Sequence, residues 1–103
     1  MIVVTGGSGF LGRHVVDGLR ETRPDREITI LDRRAPTVTG PEAVRTVEGS
    51  VLDTGTVSDA VEGADAVVHL AAVVRPDSGE EEQLRRVNVE GTRNVYRAAV
   101  EAG

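Results

Sequence analysis

The chain has no cysteine, no tryptophan and no lysine, and only one phenylalanine, one tyrosine and one methionine among its 103 residues. Without cysteine there is no disulfide framework and no thiol chemistry. Without lysine, all 12 basic residues are arginine, and no mechanism that requires a catalytic lysine can run on these residues. His14 and His69 lie far apart with no partner at ligand spacing, so no metal site is read. No apolar run approaches the roughly 18 residues of a membrane span. The opening Met1-Ile2-Val3-Val4 is too short for a signal-peptide core and is interrupted at Gly6. A net charge of −5 argues against nucleic acid, whose binding needs a basic patch. The expectation is a cytoplasmic protein with neither nucleic acid nor membrane as partner. The length allows one small domain.

What is present starts at the first residue. Met1-Ile2-Val3-Val4-Thr5 is a short apolar strand that runs into Gly6-Gly7-Ser8-Gly9-Phe10-Leu11-Gly12. A strand, a glycine-rich turn and a helix in that order form a cradle for the pyrophosphate of a dinucleotide. Gly6 permits the tight turn, Gly9 removes a side chain where backbone approaches phosphate, and Gly12 lets the helix pack closely. The helix beginning near Phe10 and Leu11 directs its free N–H groups and positive dipole end at the phosphates. Glu27-Ile28-Thr29-Ile30-Leu31-Asp32 reads as a second strand ending in an acid, 20 residues beyond Gly12. A carboxylate at that distance grips the adenosine ribose hydroxyls; otherwise Asp32 is a turn former at a strand end.

The pattern continues as helix 10–22, strand 27–32, an exposed loop holding Pro36, Gly40 and Pro41, and a short strand over Val44-Arg45-Thr46-Val47. Asp53 and Thr54 can cap a helix with Val57, Ala60 and Val61 on its apolar face and Gly63 at its end. Ala66-Val67-Val68-His69-Leu70-Ala71-Ala72 is a nearly continuous apolar strand, as in a parallel sheet. A helix over 80–101 follows, with Glu80-Glu81-Glu82 in its first turn and Leu84, Val87, Gly91, Val95 and Ala98 as its buried stripe. Tyr96 falls beside the stripe and is expected to pack rather than react. The fold class is α/β: a Rossmann-type, doubly wound parallel sheet, incomplete, with strand order 3-2-1-4. Strand 4 is then left at an edge, and the expectation is an N-terminal half of such a fold or a chain completed by a partner.

Four stretches resemble one family. Thr5-Gly6-Gly7-Ser8-Gly9-Phe10-Leu11-Gly12 is similar to the TGxxGFxG fingerprint of extended short-chain dehydrogenases/reductases, among them nucleotide-sugar epimerases and dehydratases and the 3β-hydroxysteroid dehydrogenases. Gly49-Ser50-Val51-Leu52-Asp53 resembles the segment after strand 3, His69-Leu70-Ala71-Ala72 the strand-4 motif, and Asn88-Val89-Glu90-Gly91-Thr92 the NVxGT motif. The resemblance implies that Leu52 and Asp53 meet adenine, that Leu70, Ala71 and Ala72 line the cofactor, and that Asn88 lies near it. Read from the residues alone, Asp53 is a helix cap, Ala71 and Ala72 are tight core packing, and Asn88 bonds backbone or cofactor. Gly91 allows close approach of helix to sheet, and His69 is a partly buried strand residue.

The cofactor expected is NAD, with NADP the weaker reading. The Asp32 carboxylate accepts ribose hydroxyls and repels a 2′-phosphate. Arg33 and Arg34 stand against this, since an arginine there pairs with that phosphate; Arg33 also suits stacking on adenine or a merely exposed loop. The family's chemistry uses Tyr-x-x-x-Lys and a serine. Here Tyr96 is followed four residues later by Val100, and no residue of the chain is assigned a catalytic role. Residues 1–103 are expected to bind a dinucleotide without turnover, with a small-molecule substrate bound only by a complete enzyme. The family resemblance adds a homodimer. Two other readings are a non-catalytic dinucleotide-sensing module acting through a partner and a remnant that neither binds nor folds well.

Overall fold

Strands that are β-branched and apolar on both faces pair inside a parallel sheet covered on both sides, and Ile2-Val3-Val4-Thr5 does so here. In the computed structural model, which describes residues 1–34, 44–71, 82 and 85–103, β1 (Ile2–Thr5) lies at the centre of a four-stranded sheet. It is flanked by β2 (Ile28–Asp32) and β4 (Ala66–His69), and β3 (Val44–Glu48) lies outside β2. The order is β3-β2-β1-β4 and every pair is parallel, as the sequence pattern predicts. Val4 stands opposite Ile30 and Val68, and Thr5 opposite Leu31 and His69.

α1 (Phe10–Thr22) connects β1 to β2, and α2 (Thr54–Val61) connects β3 to β4. A π-helical stretch, Arg86–Gly91, leads into α3 (Thr92–Ala102). The period-2 alternation of the strands divides the core. Val3 and Leu31 face α2 and α3, where they meet Val57, Val61, Val87, Val95 and Ala98. Val4, Ile28 and Ile30 face the other way, onto Val16 of α1. Ile28, Ile30 and Leu31 are among the largest fully buried side chains, and burying each contributes about 1.5–3 kcal/mol. Val67 and Val68 of β4 are only half-buried, as an edge strand dictates.

Three expectations change. β4 ends at His69 instead of Ala72, because β1 has no more ladder to offer: the chain turns away at Gly6, and the N–H of Leu70 bonds the Thr5 carbonyl at 3.0 Å as the last rung. The last helix is not α-helical throughout. Thr92 Oγ1 donates to the carbonyl of Asn88 at 2.6 Å, a back-bond that bends helices, and Asn88 and Gly91 are weak helix formers. Tyr96 is 70% exposed and packs on nothing that hides it; it follows the buried Val95 by one residue, about 100° around the helix. The stripe of Val87, Gly91, Val95 and Ala98 is buried as expected, and Leu84 lies outside the described residues. No helix among the described residues is long and apolar enough to cross a membrane.

Candidate functional site

The carboxyl end of β1 opens the site. Gly6 has φ +72°, a left-handed conformation that glycine adopts without steric cost. A Cβ there would lie 2.8 Å from Ala71 N and 2.9 Å from Leu70 C, so the turn rests directly on the Leu70–Ala71 peptide. Gly12 is crowded as well, but by the turn and not by the sheet: its Cβ would collide with the Gly6 carbonyl oxygen and come within 2.7 Å of Gly7 Cα. The close approach to the sheet belongs to Gly7, whose Cβ would be 2.7 Å from Ile30 Cγ2 on β2.

Gly9 is different. Its φ of −74° and ψ of 176° suit any residue, and a Cβ built on it would meet only the Gly6 carbonyl oxygen, at 3.5 Å. Neither conformation nor packing among the described residues calls for glycine there. Gly9 precedes the first turn of α1 without a side-chain cap, so the end of the helix presents backbone N–H groups and the positive end of its dipole.

Asp32, at the end of β2, faces this turn. Its Oδ2 accepts the Ser8 N–H at 2.9 Å and its Oδ1 accepts the Arg34 N–H at 3.5 Å. Ser8 Oγ donates to the Arg34 carbonyl at 2.9 Å, so the glycine turn and the β2 end are stitched together twice. Between them opens a cleft of about 360 Å³ at the carboxyl edge of the sheet, within the size range of small-molecule sites.

Of the residues singled out from sequence, Gly6, Gly9, Asp32, Arg33, Arg34, Leu70 and Ala71 line this cleft. Gly12 is buried behind it. Phe10 and Leu11 are exposed on the first turn of α1, with Phe10 edge-on to His14 at 4.9 Å, and neither is among the residues that line the cleft. Leu52 is half-buried against the α2-side core. The Asp53 carboxylate caps α2, accepting the N–H groups of Gly55 at 3.1 Å and Thr56 at 3.2 Å. The Thr56 amide is the main reason its carboxyl is held below the ordinary range. Asn88 is half-buried on the π-helical stretch, one residue after Val87 of the lining. Ala72 lies outside the described residues. Gly91 makes its close approach not to the sheet but to Val51, whose Cγ2 would be 2.5 Å from a Cβ. The Asn94 side chain donates to the Val51 carbonyl at 3.0 Å and fixes the same loop.

Sequence reasoning passed over Thr5, Gly7 and Ser8. Thr5 is fully buried, and a buried hydroxyl must be hydrogen-bonded. Its Oγ1 accepts the N–H groups of Leu70 at 3.1 Å and Ala71 at 3.2 Å and lies 2.6 Å from His69 Nδ1. A threonine closing an otherwise aliphatic strand was the available signal. His69 is partly buried, as read from sequence, and burial lowers its pKa below the ordinary 6.5. Among the described residues no group of three or more histidine, aspartate or glutamate side chains is placed to hold a metal ion.

The 3-beta hydroxysteroid dehydrogenase/isomerase family model matches residues 3–103. Rat 3 beta-hydroxysteroid dehydrogenase type 7 is 37% identical over 108 residues, covering 98% of this chain and 32% of the rat protein. A dTDP-glucose 4,6-dehydratase of Mycobacterium tuberculosis is 35% identical over 105 residues, covering 94% of this chain and 32% of the dehydratase. The chain therefore spans about a third of the length of these curated relatives. A crystal structure of a short-chain dehydrogenase/reductase superfamily protein from Agrobacterium tumefaciens with bound NAD superimposes with a TM-score of 0.87 at 39% identity, over 100% of this chain and 30% of that one. With a match that begins at the third residue and runs to the last, the chain belongs to the 3-beta hydroxysteroid dehydrogenase/isomerase family.

Proposed function

We propose that this chain is the dinucleotide-holding part of an NAD-dependent oxidoreductase, epimerase or dehydratase that acts at a hydroxyl or carbonyl of a sterol, a nucleotide sugar or a similar substrate. One observation carries the reading. Gly9 sits at the mouth of the cleft, before an uncapped helix N-terminus, where no atom of the described residues and no backbone conformation requires glycine. A ligand that must approach backbone there supplies the reason, and helix N–H groups suit a pyrophosphate. The residues fit the group at its other end too. Asp32 has its oxygens oriented by the Ser8 and Arg34 amides, and each carboxylate oxygen retains a further lone pair for a ribose hydroxyl.

The bound dinucleotide supplies hydride chemistry; this chain binds and orients it. The same carboxylate supports NAD over NADP, because a 2′-phosphate would face a like charge. Arg33 and Arg34 both line the cleft and are exposed, and Arg33 suits stacking on a base. The proton-transfer groups of turnover fall outside these residues: the chain has no lysine, and Tyr96 lies on the exposed side of α3.

Calorimetric titration of the protein with NAD and with NADP tests this. NAD should bind more tightly than NADP. Asp32→Ala should weaken NAD about ten- to a hundredfold, the worth of charge-assisted hydrogen bonds, and should narrow the gap to NADP. An Asp32→Ala protein that binds NAD like the wild type would remove the ribose role from Asp32.

A further inference from the structure

We infer that His69 is a positioning residue for the dinucleotide cleft: it joins two of the cleft walls through one continuous hydrogen-bonded chain, Thr5–His69–Thr92–Asn88. The inference rests on the dinucleotide reading given above.

The direction of the chain follows from counting protons. Thr92 Oγ1 lies 2.6 Å from the Asn88 carbonyl oxygen, which can only accept, so the hydroxyl proton is spent there. Thr92 Oγ1 also lies 3.0 Å from His69 Nε2; with its proton used it must accept, and Nε2 must carry a hydrogen. At the other end Thr5 Oγ1 accepts two backbone N–H groups, that of Ala71 at 3.2 Å and that of Leu70 at 3.1 Å, the latter shared with the Thr5 carbonyl at 3.0 Å. A hydroxyl has two lone pairs and one proton, so that proton is left for His69 Nδ1, 2.6 Å away. The network is complete only for a neutral ring protonated on Nε2. An imidazolium would turn a second N–H toward an oxygen with no lone pair left. Burial of the ring, which disfavours the charged form, agrees.

The chain ends where the cleft is built. Thr5 Oγ1 holds the Leu70–Ala71 peptide, and that peptide is what Gly6 rests against. Thr92 holds the carbonyl of Asn88 on the π-helical stretch, next to Val87, which lines the cleft. His69 is absent from the lining itself. It acts through others, fixing the glycine turn and the β4 end relative to the helix across from them. Strand pairing ties the β4 end to β1 as far as Thr5 and His69, but it does not reach the last helix.

Two measurements on the protein test the inference. Long-range imidazole ¹H–¹⁵N correlation at neutral pH should show His69 as the Nε2–H tautomer; an Nδ1–H tautomer or an imidazolium overturns it. NAD titration should then separate hydroxyl from shape at position 92. Thr92→Val keeps the shape and should weaken NAD about tenfold, the worth of one neutral hydrogen bond. Thr92→Ser keeps the hydroxyl and should bind as the wild type does. His69→Phe, which has a ring without nitrogens, should match Thr92→Val and covers the case in which the valine variant does not fold. If Thr92→Val and His69→Phe bind NAD like the wild type, the positioning role fails while the dinucleotide reading stands. If the wild type itself takes up neither NAD nor NADP, the dinucleotide reading fails and the positioning role fails with it.

Discussion

The Asp32 carboxylate holds the Ser8 amide at 2.9 Å and so ties the glycine turn to β2 in the free protein. The carboxylate proposed to meet the ribose is thereby pre-oriented by the fold, which would lower the entropy lost on binding. His69 carries a different kind of consequence. Burial holds its pKa below the ordinary 6.5, so between 6.5 and the lowered value the unfolded chain takes up a proton that the folded chain refuses. Stability therefore rises with pH through that window and falls on acidification below about 6.5. The urea midpoint should be lower at about pH 5.5 than at about pH 7.5, and His69→Phe should flatten the difference; parallel pH dependences would refute the assignment to His69. The acids operate in a separate window. The Thr56 amide holds Asp53, and the amino group of Met1 holds Asp65, below the ordinary 3.8. Their stabilisation is complete above about that value and is lost as pH falls through the lowered ones. The place of Asp32, Arg33 and Gly6 at the carboxyl edge of the sheet was legible because spacing and residue type fix it on strand ends. Thr5 and Ser8 were not, because their partners are 65 and 24 residues away in sequence.

At the scale of elements, the join between the glycine turn and β2 is an exacting contact. A methyl on Gly7 would sit 2.7 Å from Ile30 Cγ2 and 3.0 Å from its Cγ1, and Ile30 is fully buried. Gly7→Ala should cost about 1–3 kcal/mol through overpacking, and Ile30→Ala about 2–5 kcal/mol through cavity formation. The double variant should lose less than the sum, because the new methyl enters the space that the isoleucine leaves. Strict additivity in urea denaturation would show that the two side chains do not share that space. The helices illustrate what periodicity can and cannot supply. The stripe of Val87, Gly91, Val95 and Ala98 was legible, since it depends on spacing alone. The π-helical stretch across Arg86–Gly91 was not, because it arises from a threonine back-bond and a histidine partner on another element.

At the scale of the whole molecule, the proposed site spans the β1 turn, the β2 end, the β4 end and the start of the last helix. A dinucleotide that binds only the folded form should stabilise it by about 2.7 kcal/mol when present at a hundred times its dissociation constant. A thermal melt with NAD should show an upward shift that grows with the logarithm of concentration, and AMP alone should give a smaller one. No shift with NAD at saturating concentration would count against the proposed function.

What the sequence determined by itself was the type and order of elements, the parallel sheet, the 3-2-1-4 order and the glycine turn with its acid at the next strand end. Those follow from local period, from turn chemistry and from the handedness of crossovers, which act over a few residues or constrain whole topologies. Tertiary structure alone decided which glycine packs on what, where β4 stops, how the last helix distorts and which tautomer His69 takes. Each of these is set by contacts between residues distant in the chain: Gly7 with Ile30, Thr5 with Leu70 and Ala71, Gly91 with Val51 and His69 with Thr92. Such pairings depend on how the elements dock, and no local pattern in a single sequence encodes them.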